Sequence, residues 1–130
     1  MRYLLLTVSI LALAGCGVNP PIQGRLDPYP AAQVHFDSQE LSQDTAVGQP
    51  ILNRDQFNLL HVTLPIRSAI DKQLHVQYRV TFFDANRSPL DQQSWSDKTL
   101  TANTPDQIQV NSVDTRAADF QIDLRYPPGY

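Results

Sequence analysis

Cysteine is nearly absent from the sequence, which narrows the kinds of site and scaffold that the chain can build. A single Cys among 130 residues excludes a disulfide framework and any Cys-x-x-Cys metal or redox motif. A strong basic charge is also lacking: the net charge is −3, so the chain does not have the excess of basic residues that is typical of nucleic-acid-binding proteins. Glycine is scarce as well: 5 glycines stand against 10 prolines, which favours rigid connectors and short strands over long helices. The length suits one domain and is too small for two.

The first fifteen residues have the organisation of an export signal. Met1 and Arg2 form a short positive start, and residues 3–14 are apolar with only two polar interruptions. Twelve helical residues rise about 18 Å, well short of the roughly 30 Å hydrocarbon core of a bilayer. We therefore predict that residues 1–15 are a cleaved signal peptide, with an uncleaved membrane anchor as the alternative.

The segment Leu13-Ala14-Gly15-Cys16 resembles the bacterial lipobox, in which a diacylglyceryl group joins the cysteine thiol before the signal is cut. The resemblance implies cleavage between Gly15 and Cys16, lipidation of Cys16 with acyl chains such as palmitate, and no free thiol for catalysis. Two or more acyl chains give stable membrane anchoring. Gly17 is not the Asp that retains enterobacterial lipoproteins in the inner membrane, so the resemblance implies the outer membrane of a Gram-negative envelope, with the domain facing the periplasm.

Residues 16–32 are predicted to be the lipidated Cys followed by a proline-rich tether. Four prolines lie in this segment and neither a strand nor a helix period is present. An extended polyproline II chain rises about 3.1 Å per residue, so the tether spans up to roughly 50 Å. A partner-binding proline motif is the weaker interpretation because no PxxP with flanking basic residues is present. Residues 33–130 then form the folded domain.

Alternation of apolar and polar residues predicts that this domain is all-β. The alternation is strongest over residues 74–82, recurs over 120–126 and is weaker over 34–36 and 108–110. The more continuously apolar residues 57–64 predict a strand that is covered on both faces.

Six to seven short strands separated by turn-rich segments predict a small antiparallel β-sandwich of immunoglobulin or fibronectin type. An open barrel is the alternative. We expect Tyr78, Phe82 and Trp95 to supply much of the core, and residues 38–45 to form a helical turn at most.

The second half of the chain carries a family resemblance. The stretch YRVTFFDAN at residues 78–86, then Trp95 and Leu100, and the closing DTRAADFQIDLR at 114–125 resemble the YcfL-like family of predicted periplasmic lipoproteins. The resemblance implies a small β-sandwich lipoprotein with no established biochemical activity and no assigned catalytic residues. Arg87 stands where the family usually has Gly.

Most polar residues have a structural explanation. Asp84 follows the strongest strand and is expected to accept backbone hydrogen bonds that fix a turn. The three histidines are never at metal-ligand spacing, so we predict no metal site. The dispersed acidic residues, without a calcium loop, fit solvated loops and strand faces. They include Asp91, Asp97, Asp106, Asp114, Asp119 and Asp123.

The candidate partner-binding residues are aromatic. Trp95 is more typical of a core residue than of a ligand platform, but becomes a candidate if it is exposed on a loop. Tyr126 and Tyr130 bracket two prolines and a glycine past the last predicted strand, where a frayed terminus is the alternative.

The sequence therefore predicts a non-catalytic module that binds or assists an envelope protein complex, with cell-wall synthesis or secretion machinery as candidate settings. No nucleophile elbow, dinucleotide motif or phosphate loop is present, so we expect no enzyme activity and no cofactor. A periplasmic lipoprotein that binds a small ligand or glycan, with Trp95 and the tyrosines as stacking surfaces, is the alternative.

Overall fold

The computed structural model of the chain describes residues 33–129. Within them, short apolar segments between turns form nine strands and one helix. In chain order these are β1 (Val34–Phe36), α1 (Gln39–Asp44), β2 (Thr45–Val47), β3 (Ile51–Arg54), β4 (Leu60–Ser68), β5 (Leu74–Phe83), β6 (Pro89–Gln92), β7 (Ser96–Leu100), β8 (Asp106–Asn111) and β9 (Asp119–Arg125). No helix in this part of the chain is long and apolar enough to cross a membrane.

The strands form two sheets. In the first sheet β9 lies between β1 and β5, and β6 and β7 share the other side of β5, each pairing with one end of it. In the second sheet β4 is central, with β8 on one side and β2 and β3 sharing the other side. The strand pairs are antiparallel except β1 with β9, which is parallel.

The core lies between the two sheets because every second residue of the long strands is apolar. Fully buried side chains of this kind contribute about 1.5–3 kcal/mol each to the free energy of unfolding. They come mainly from β4, β5, β8 and β9, and include Val62, Leu64, Ile66, Val76, Val80, Phe82, Ile108, Phe120, Ile122 and Leu124.

The antiparallel β-sandwich predicted from alternation is confirmed, but it has about nine strands where six to seven were expected. The predicted strand segments at 34–36, 74–82, 108–110 and 120–126 all lie on or overlap observed strands. The missed strands β2, β3, β6 and β7 are 3 to 5 residues long, too short to show a period.

The prediction of a doubly covered strand over residues 57–64 is wrong in two respects. The strand begins at Leu60, and Phe57 is 68% exposed in the preceding turn. The Asp55 carboxylate fixes that turn by accepting the N–H groups of Phe57 and Leu59. Most of β4 alternates between buried and half-buried residues, so it is covered mainly on one face.

The short helix α1 was underestimated as a single turn at most. Ser38 caps it: the side-chain oxygen accepts the N–H of Leu41 at 3.2 Å. The Leu41 side chain is fully buried, so one apolar contact with the core holds a six-residue helix in place. Helix α1 carries the chain from the first sheet to the second.

Candidate functional site

The outer face of the first sheet carries a ladder of polar side chains. Residues that alternate with the buried Val76 and Val80 on β5 point outward and meet residues of β9 in register. Arg79 donates its Nε–H to Asp123 Oδ2 at 3.0 Å. Arg125 donates its Nε–H to Gln77 Oε1 at 2.9 Å. These cross-strand pairs hold both guanidinium groups on the sheet surface.

Trp95 lies over this ladder and not in the core, so the prediction that it is a core residue is wrong. Its ring centroid is 4.5 Å from Arg79 Cζ and 3.9 Å from Arg125 Cζ. A guanidinium this close to an indole is attracted by the ring quadrupole. The residue directly precedes β7, whose first residue Ser96 pairs with Tyr78. We refer to Arg79, Trp95 and Arg125 as the Arg–Trp cluster.

The other two predicted core aromatics behave differently from Trp95. Phe82 is buried and Tyr78 is half-buried against the core. The indole N–H gives Trp a polar edge that suits a surface position over charged neighbours.

Asp123 departs from the expectation that the acidic residues are solvated. It is only 6% exposed, although it is part of the polar ladder. A buried carboxylate needs partners, and Asp123 has two: Arg79, and the side-chain amide of Gln121 at 2.8 Å. The ion pair therefore belongs to the framework of the outer face.

Other acidic side chains fix turns or accept neighbouring donors. The predicted role of Asp84 is confirmed, since its Oδ1 accepts the N–H groups of Asn86 and Ser88 at 2.9 Å each. Hydrogen bonds from the Arg116 side chain and backbone lower the pKa of Asp114 to about 2. This contact bridges two residues of the β8–β9 loop and explains the carboxylate structurally.

The histidines are not brought together. His35 is exposed on β1, and His75 is on the outer face near Asp97 and Thr99. His61 Nε2 lies 2.8 Å from Asp55 Oδ2, and this hydrogen bond lowers the pKa of Asp55, with smaller effects from the Leu59 and Phe57 N–H groups. No group of three metal-ligating side chains occurs within residues 33–129.

Tyr126 is half-buried and packs against the core, on the opposite side of the first sheet from Trp95. Its hydroxyl donates to Asp44 Oδ2 of α1 at 2.5 Å. Burial first, and then this hydrogen bond and the carboxylate charge, raise the pKa of Tyr126 well above its usual value of 10.0. The two predicted aromatic candidates therefore do not form one surface. Gly15, Cys16 and Tyr130 lie outside the described residues.

A cavity of about 390 Å³ opens beside Tyr126. We call it the α1 cavity, because α1 forms one wall with Glu40 and Asp44. The β4–β5 loop contributes Lys72 to the lining, and the apolar lining includes Ile70 and Leu74. Sequence reasoning missed this site because α1 was predicted as one turn at most and the residues of the lining come together only in the folded chain.

Exposed large apolar side chains concentrate at one edge of the second sheet. All four residues of β3 are exposed, including Ile51 at 57% and Leu52 at 42%. Phe57, in the turn that follows, is 68% exposed. Within the described part of the chain β3 pairs only with β4, so its other side presents unpaired backbone groups. We call Ile51, Leu52 and Phe57 the apolar edge.

The sheets and core define a small two-sheet β-sandwich domain. The family described as a protein of unknown function, DUF1425, matches residues 32–126, and the chain belongs to this family. This confirms the resemblance to the YcfL-like family of uncharacterised function.

Two crystal structures show a similar fold. The Campylobacter jejuni protein cj0090 is 19% identical with a TM-score of 0.64, and the match covers 74% of this chain and 99% of that chain. A DUF1425 family member from Shewanella sp. pv-4 is 19% identical with a TM-score of 0.59, covering 66% of this chain and 81% of that chain. No curated protein is significantly similar to the chain. At this identity the likeness concerns the fold alone.

Proposed function

We propose that the protein is a lipoprotein of the outer membrane whose domain binds another envelope protein and performs no catalysis itself. The lipobox-like Leu13-Ala14-Gly15-Cys16 supports the anchor. The apolar edge supports the binding role and is the observation that carries it. Cell-wall synthesis and secretion machinery are the proposed settings for the partner.

The apolar edge leaves both apolar side chains and unpaired backbone groups in contact with water. Ile51 and Leu52 expose apolar surface on a strand whose outer backbone groups are open to pairing. Natural edge strands commonly carry charges, prolines or bulges that prevent pairing with another chain. Strand β3 carries only Arg54 as a charged residue. A partner strand added alongside β3 gains main-chain hydrogen bonds and covers these side chains.

The Arg–Trp cluster gives less support to the alternative of glycan binding. The Trp95 ring already stacks with two guanidinium groups and is half-buried, so less of it is available for sugar stacking than of a fully exposed indole. We therefore place the partner site at the apolar edge of the second sheet.

Site-specific photo-crosslinking in cells tests the partner site. A photoreactive phenylalanine replaces Leu52 or, separately, Phe57, and a matched position is Thr99, which is exposed on β7 of the other sheet. We expect both edge positions to give the same heteromeric adduct, Thr99 to give none, and Ile51→Lys to abolish the adduct by placing a charge in the interface.

Three outcomes contradict the proposed partner site. These are no adduct at either edge position, the same adducts at Thr99 as at the edge, and an adduct of this chain with itself alone, which assigns the edge to self-association.

A further inference from the structure

The α1 cavity is lined by charges of both signs. Glu40 and Asp44 lie one helical turn apart on α1, so both carboxylates face the same side of the helix. Lys72, on the β4–β5 loop, also lines the cavity. None of the ion pairs found within residues 33–129 involves Glu40 or Lys72, so these two charges are not neutralised by each other.

Part of the lining is apolar. Leu74 is 7% exposed and belongs to the core, and Ile70 and Tyr126 pack against that core. Small-molecule sites span about 300–1,000 Å³ and combine apolar surface with a few convergent polar groups. The α1 cavity, at about 390 Å³, has the size of a small member of this class.

Hydrogen bonds order the β4–β5 loop and join it to α1. Ser68 is fully buried, and its hydroxyl lies 2.7 Å from the carbonyl oxygen of Lys72 and 3.0 Å from that of Ile70. The N–H of Ala69 donates to the Asp44 carbonyl at 2.8 Å, which joins the loop to the end of α1. A site whose walls are already ordered loses less conformational entropy when a ligand binds.

We propose that the α1 cavity binds a short peptide with free termini and an apolar side chain. The peptide ammonium binds the carboxylates of Glu40 and Asp44, the peptide carboxylate binds Lys72, and the side chain lies on Ile70 and Leu74. A zwitterion fits because the lining carries carboxylates on α1 for one terminus and an ammonium group on the β4–β5 loop for the other. The site is separate from the apolar edge and does not depend on the proposed protein partner.

Calorimetric titration of the full lipoprotein in detergent tests this assignment with the dipeptide Ala-Leu. We expect Ala-Leu to bind. N-acetyl-Ala-Leu and Ala-Leu-amide each lack one terminal charge, and we expect their affinity to be lower by a factor of about ten or more. Glu40→Gln and Lys72→Met are expected to weaken Ala-Leu to a similar extent. Asp91→Asn and Arg87→Gln, which remove exposed charges in and beside β6, are the matched controls and should leave affinity unchanged.

The blocked dipeptides keep the test independent of variant folding, since they are titrated into the unmodified chain. Failure of Ala-Leu to bind at millimolar concentration overturns the assignment. Equal affinity for the free and blocked dipeptides also overturns it, because the charged side chains of the cavity would then not bind the peptide termini. Equal loss of affinity in the control variants overturns it as well, by showing that net charge alone governs binding.

Discussion

The hydrogen bond between Tyr126 and Asp44 joins the residue that follows the last strand to the only helix of the described residues. Its partners are 82 positions apart in sequence, so it links the end of the domain to its beginning. The Tyr126 pKa is raised, so the ionised phenolate is the disfavoured form in the folded protein. The contact therefore contributes its full stabilisation below pH 10 and loses it as the pH rises towards the folded pKa.

Replacement of Asp44 by Asn tests this contact. We expect Asp44→Asn to lower the Tyr126 pKa only partly, because burial is the larger cause of the shift and remains. Ultraviolet titration of tyrosinate, compared with a Tyr126→Phe variant that identifies the signal, measures the change. Asp37→Asn, at an exposed carboxylate just before α1, is the control. A Tyr126 midpoint that does not move in Asp44→Asn contradicts the assigned contact.

The turn after β5 could be predicted in part from single residues of the sequence. The sequence predicted that Asp84 would fix this turn, and it does. Arg87 stands where the YcfL-like family usually has Gly, and its φ of 62° lies in the left-handed region that glycine adopts without a Cβ penalty. The backbone thus keeps a glycine-type conformation although the residue has changed.

Helix α1 lines the α1 cavity, yet the sequence predicted no more than one helical turn there. Six residues are too few for a helical period, and isolated helices of this length do not form in water. The available signals were local: Ser38 as an N-cap, Glu40 in the first turn and Leu41 as the one buried side chain. Strands β5, β8 and β9 were predictable because burial of one face imposes an alternating period along each strand. The α1 cavity was not, since its walls meet only through tertiary packing.

Removal of the cap measures the contribution of α1 to stability. We expect Ser38→Ala to lower the free energy of unfolding by about 0.5–2 kcal/mol, because the Leu41 N–H loses its acceptor. Ser42→Ala is the matched control: Ser42 is exposed inside the same helix, where Ala has the higher helix propensity, so stability should be unchanged or slightly greater. Urea denaturation gives both values. Equal losses in the two variants contradict the capping role.

At the scale of the whole molecule, the chain enters the domain at an edge of the first sheet. Gln33 is fixed there, since its carbonyl accepts the N–H of Ile122 at 2.8 Å and its side chain donates to Asp119 at 3.2 Å. The apolar edge lies on the other sheet. A proposed lipid at Cys16 and a tether of up to roughly 50 Å would let this surface reach a partner at a distance from the membrane.

The anchor itself is tested by replacing its one cysteine. We expect Cys16→Ala to lose metabolic palmitate labelling and to accumulate as precursor or soluble protein, because no other thiol in the chain can accept the lipid. Acyl chains contribute about 0.8 kcal/mol per buried methylene, so their loss removes the main source of membrane affinity. Gly17→Ala, which keeps the cysteine and introduces no Asp, is the control and should stay labelled in the outer-membrane fraction. If unlabelled Cys16→Ala protein stays in the membrane fraction in unchanged amount, the uncleaved apolar segment is the anchor and the lipid is not needed.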